Sequence, residues 1–90
     1  MGRRWAMKRD SNEAELFHIL RDMHVDVRRL TDIDIVGRNV RDGVGRMLEV
    51  KVPGREKALR PIQKTLKLWF PEHYRIVTNV DEALEALGYK

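Results

Sequence analysis

The chain has no cysteine, which excludes a disulfide framework and a cysteine-ligated zinc site. No apolar run approaches the ~20 residues that span a bilayer. The basic start offers only Trp5-Ala6-Met7 where a signal peptide needs a longer apolar stretch. Position 6 is alanine, so the N-myristoylation pattern fails as well. The expectation is a soluble cytoplasmic protein with no membrane partner. Serine occurs once, as Ser11, which argues against a serine hydrolase. His18, His24 and His73 lack metal-ligand spacing. Gly37 and Gly43-Val44-Gly45 do not lead from a strand into a helix, so no nucleotide cofactor is expected.

Charge is abundant and unevenly placed. The 90 residues carry 18 Lys+Arg against 14 Asp+Glu, a formal +4. Arg3, Arg4, Lys8 and Arg9 fall in residues 1–9, where there is no acid, and residues 10–90 hold fourteen bases and fourteen acids. The excess is therefore an N-terminal arm, and the body is formally neutral. A hydrophobic fraction of 42% is too high for a disordered chain. The length fits a basic arm (1–9) and a single domain (10–90) with one modest core. The arm reads either as a tail or, through Arg3, Arg4 and Trp5, as a grip on nucleic acid.

Periodicity predicts seven elements. Residues 10–23 read as a helix, with Asp10 as cap and Leu16, Ile19, Leu20 and Met23 as one apolar stripe. Residues 25–30 alternate as a strand. Residues 32–52 read as a hairpin about Asp42-Gly43. Pro61 opens a second helix with Ile62, Leu66 and Trp69 as its core face, and Pro71 stops it. Residues 73–78 form a fourth strand, and Asn79 caps a last helix over 81–87 that ends at Gly88. The order α-β-β-β-α-β-α predicts an α/β fold with a mixed sheet of about four strands flanked by helices.

The hairpin carries chemistry. A two-residue turn at Asp42-Gly43 sets Asp34 opposite Lys51 and Val36 opposite Glu49, so Asp34, Glu49 and Lys51 share one face. Asp34 and Glu49 are then diagonal neighbours, roughly 7–8 Å apart. Asp32 would lie at the fraying end. Two carboxylates and a lysine are equipment for metal-assisted hydrolysis, with hard oxygen ligands suited to Mg²⁺ or Mn²⁺. Leu48, Val50, Ile33 and Ile35 point to the other side. Arg60, Lys64 and Lys67 form a basic stripe on the second helix, read as phosphate-contacting or as a solvated face. Arg38, Arg41 and Arg46 flank the hairpin turn. Trp69 and Phe70 read as core or dimer contacts.

Asp34 followed by Glu49-Val50-Lys51 resembles the motif of the PD-(D/E)XK nuclease superfamily. The chain over about 9–88 is similar to stand-alone VRR-NUC (virus-type replication-repair nuclease) domains of phage type. The segments carrying the likeness are Asn12-Glu13-Ala14-Glu15-Leu16, Asp34-Ile35-Val36-Gly37, Leu48-Glu49-Val50-Lys51, Leu59-Arg60-Pro61-Ile62-Gln63 and Val80-Asp81-Glu82-Ala83-Leu84. Ile33 stands where the family usually has proline before its aspartate. The resemblance implies a restriction-endonuclease-like core and Mg²⁺- or Mn²⁺-dependent hydrolysis of DNA. It implies metal ligation by Asp34, Glu49 and the Val50 carbonyl, with Lys51 on the attacking water and Gln63 beside the lysine. A first-helix glutamate would complete the site. Glu15 matches that position better than Glu13, and periodicity does not separate them. Arg38, Arg60, Lys64, Lys67, Arg3 and Arg4 are the expected DNA contacts. The implied setting is branched, junction or flap DNA in phage or mobile-element replication and repair, in the host cytoplasm, with a resolvase-like homodimer. The rival expectation is a non-catalytic nucleic-acid-binding module of the same fold.

Overall fold

The structure is a computed structural model describing residues 12–30 and 33–90. The basic arm with Arg3 and Arg4, the Asp10 cap and Asp32 lie outside the described residues. The elements are α1 (Asn12–Asp22), β1 (Asp26–Arg29), β2 (Ile35–Arg38), β3 (Gly45–Val50), α2 (Pro61–Trp69), β4 (Tyr74–Val77) and α3 (Val80–Ala86). Their order is the expected one. The sheet runs β1-β2-β3-β4, antiparallel across the first three strands and parallel between β3 and β4. A parallel neighbour requires a crossover, and α2 supplies it.

One face of the sheet builds the core. α1 packs on β1, α3 on β3 and β4, and the two helices touch each other. Ile35, Leu48, Val50 and Val77 point into this layer and meet Leu16, Leu20, Leu84 and Leu87. The α1 stripe differs from expectation by a rotation. Phe17 is buried beside Leu16 and Leu20, whereas Ile19 and Met23 are exposed, because α1 leans on β1 rather than along the sheet centre. Gly37 lies where α3 ends against the sheet. A Cβ there would sit 2.8 Å from Leu87 Cδ2, so a larger residue would have to displace the buried Leu87 side chain. Asn79 caps α3, accepting from the Glu82 backbone, while the Glu82 carboxylate accepts from the Thr78 N–H.

The hairpin closes differently from a two-residue turn. Asn39 N donates to Val44 O at 3.1 Å and Gly43 N to Asn39 O at 2.8 Å, so four residues, Val40 to Gly43, form the loop. Gly43 keeps a positive φ of 72° within it. The wider loop follows from Asn39. Its amide oxygen accepts from Arg41 N at 2.8 Å, and its nitrogen donates to Leu87 O at 2.8 Å, which pins the turn to the end of α3. The register is consequently Ile35↔Leu48 and Val36↔Met47. Asp34 stands opposite Glu49, not Lys51. The slip is two residues, so the faces are unchanged and only the partners differ.

α2 also departs from expectation. Ile62 and Trp69 are exposed, and Gln63 is the residue the helix buries. The helix packs against β4 on the sheet face away from the core, and it offers that face an amide rather than an apolar stripe.

Candidate active site

The polar side chains expected on one sheet face are there, and they are buried. Asp34, Glu49, Lys51 and Gln63 are 5%, 3%, 7% and 0% exposed. Strand alternation separates them from Leu48 and Val50, which face the core. The solvated polar face that such a strand ordinarily presents is replaced here by an enclosed cluster under α2.

Glu49 is its centre. Gln63 Nε2 donates to Glu49 Oε2 at 2.7 Å, and the Tyr74 hydroxyl donates to Oε1 at 3.1 Å. Lys51 Nζ lies 3.8 Å from Oε2. Asp34 hydrogen-bonds Glu49 and also accepts from the Val50 N–H through Oδ2 at 2.9 Å. Gln63 is oriented by its other end, where Oε1 accepts from Arg60 N at 2.8 Å as the first turn of α2 begins. Four chain segments thus converge on one carboxyl group.

The electrostatics follow from that enclosure. Burial, then the charge and hydrogen bond of Asp34, push the Glu49 carboxyl up from 4.5 to about 7, with Lys51 and Tyr74 opposing. Burial and the neighbouring Glu49 push the Tyr74 phenol above its ordinary range, so the hydroxyl keeps its proton and acts as a donor. Arg60 opposes that rise, which places its charge within reach of the cluster.

The structure separates the two first-helix glutamates. Glu15 is exposed and borders a separate surface depression with Asn12, Ile19 and Asn79. Glu13 turns inward, 1% exposed, and takes both Arg29 donors at 2.7 and 2.9 Å. The rotation of α1 toward β1 decides this, and it makes Glu13 an anchor for β1. Asn12 links α1 to the site strands, donating to Thr78 O at 2.7 Å and Lys51 O at 3.3 Å.

Sequence reasoning missed Tyr74. The signal available was a tyrosine opening a strand parallel to the Glu-x-Lys strand, since a buried phenol needs an acceptor. Arg60, which caps α2, and Lys64 and Lys67 within it are exposed, and Arg38 is exposed on β2. Among the described residues no three His, Asp or Glu side chains are grouped for a metal ion. The acidic donors at the site are two carboxylates. Comparisons with protein-family models, curated proteins and solved structures found no match.

Proposed function

We propose that the protein is a divalent-cation-dependent deoxyribonuclease of the PD-(D/E)XK superfamily, of the VRR-NUC type, hydrolysing DNA phosphodiester bonds. The observation that carries this reading is the Asp34–Glu49 pair: two carboxyl groups are buried side by side, and burial, then the charge of Asp34, pushes Glu49 up to about 7. A divalent cation relieves that repulsion as the proton does, and an all-oxygen donor set suits Mg²⁺ or Mn²⁺.

Asp34, Glu49 and the Val50 carbonyl would hold the ion. The chemistry it supplies when bound is a more acidic water and neutralised phosphate charge. The chain's own groups do the rest. Lys51 steadies the attacking water and the developing negative charge. Gln63 and Tyr74 fix the orientation of Glu49, as outer partners of a ligand do. Arg60, at the start of α2, and the exposed Lys64 and Lys67 along it would serve as phosphate contacts. Branched, junction or flap DNA is the proposed substrate. A homodimer would place two sites on a symmetric junction, and the exposed Leu68 and Trp69 on α2 offer apolar surface for a second copy.

The test is cleavage of a four-way junction and of linear duplex with Mg²⁺, with Mn²⁺ and with EDTA. Cleavage is expected with either ion and in neither EDTA nor the Asp34→Asn and Lys51→Ala variants. Activity that survives any of these removes the mechanism. Binding without cleavage, indifferent to Glu49→Gln, is the outcome a non-catalytic module would give.

A further inference from the structure

Four arginines on β1, β2, the hairpin turn and β3 are sorted by the fold. Arg46 turns to the core side, donating to Leu87 O at 3.2 Å and to Asp42 at 3.1 Å. Arg41 lies with its guanidinium 5.5 Å above the Tyr89 ring. Arg38 does neither. It shares the opposite sheet face with Arg28, because Asp26 pairs with Arg38 and Arg28 with Val36. That is also the face of Glu49, through Val36↔Met47 and the alternation along β3. α2 packs on β4, at the other edge of the sheet. A shallow depression of about 390 Å³ over β1 and β2 is lined by Arg28, Arg38, Asp26 and Val36.

The side chains of Arg28 and Arg38 are 72% and 59% exposed and flank Asp26, at 3.5 and 3.2 Å. Two guanidinium groups thus stand against one carboxylate, which orients both and leaves an excess of positive charge. They are diagonal cross-strand neighbours, about 7–8 Å apart at Cα. Arg38 is four positions from Asp34 along the same face, ~13 Å, or about four nucleotide steps of duplex rise.

We infer that the open face of β1 and β2 is a second DNA-backbone contact, in which Arg38 holds a phosphate about four nucleotides from the bond that is cut and Arg28 holds one nearer to it. The inference rests on the nuclease reading. DNA then crosses the sheet from the α2 cations, past Glu49, to this pair. The occupant is a sugar-phosphate backbone because the patch is cationic, shallow and continuous with the candidate site, and guanidinium groups suit phosphate oxygens.

The experiment uses the full chain and a fluorescein-labelled four-way junction in EDTA, with anisotropy followed against salt. The double variant Arg28→Ala/Arg38→Ala should lower the slope of log affinity against log salt by about 2, near 0.9 per phosphate contact. Arg41→Ala, on the other side of the sheet, should leave it unchanged. With Mg²⁺ the double variant should raise KM and leave kcat unaltered. Arg28→Lys/Arg38→Lys should keep the wild-type slope, which separates lost charge from lost fold. An unaltered slope and KM in a double variant that melts as the wild type does overturns the inference and leaves the nuclease reading standing. A wild-type protein that neither binds nor cuts the junction removes both.

Discussion

Asp34 stands directly across the sheet from Glu49, one step beyond the pair Ile35↔Leu48, and the two carboxyl groups share a hydrogen bond. Burial of Glu49, and then the closeness of Asp34, makes the folded protein hold a proton that the unfolded chain releases. Glu49 titrates near 7 in the folded state against 4.5 in the open chain. Between those values the folded state binds more protons, so stability is fully present below about 4.5 and falls as pH rises through about 7. The loss is about 3 kcal/mol. Thermal melts in EDTA from pH 4.5 to 8 should show Tm falling with pH, and Glu49→Gln should flatten that fall.

The same pair makes cation binding visible without any substrate. Mg²⁺ or Mn²⁺ at pH 8 should raise Tm, since a ligand bound by the folded state alone stabilises it. The rise should be smaller at pH 5.5, where the proton occupies the site. Asp34→Asn should abolish it. A cation-independent Tm at pH 8 would refute metal binding by Asp34 and Glu49.

Glu13 and Glu15 should behave in opposite ways. Glu13→Ala removes the buried partner of a part-exposed Arg29 and should cost about 1.5–3 kcal/mol in a urea melt. Glu15→Gln changes an exposed side chain, and its cost should stay within about 0.5 kcal/mol with cleavage retained. Loss of cleavage in folded Glu15→Gln would return that residue to the site.

Gln63→Leu leaves the Arg60 N–H and Glu49 Oε2 without their shared partner. The expected cost is about 1–3 kcal/mol, accompanied by loss of cleavage. Tyr74→Phe removes the donor on Oε1, one of the two groups that hold the Glu49 carboxyl down. The acidic limb of its pH–rate profile should move to higher pH. A profile that stays in place would show that the phenol does not act on Glu49.

Gly37→Ala tests a close approach in the core. The added carbon meets Leu87 at 2.8 Å and Val27 at 3.2 Å, both of them buried. Overpacking of this kind costs about 1–3 kcal/mol, read as a lower urea midpoint with an unchanged slope.

The sequence by itself determined what depends on near neighbours. Apolar periodicity and caps set the seven elements and their order, because those signals act within a few residues of where they are read. Strand alternation put Asp34, Glu49 and Lys51 on one face, and that result survived an error in the loop. A slip of two residues preserves parity. What only the tertiary structure decided depends on partners far along the chain. The loop is wide because Asn39 reaches Leu87 O, 48 positions away, and that bond makes Asp34 face Glu49. Glu13 turns inward because Arg29 waits on β1, and the local pattern treats Glu13 and Glu15 alike. α2 exposes Ile62 and Trp69 and buries Gln63 because the face it covers already holds a carboxyl group that needs a donor. A periodicity argument ranks an amide below an isoleucine for burial. A hydrogen bond to a buried carboxyl group reverses that order, and its two ends meet only when β3 and α2 are brought together.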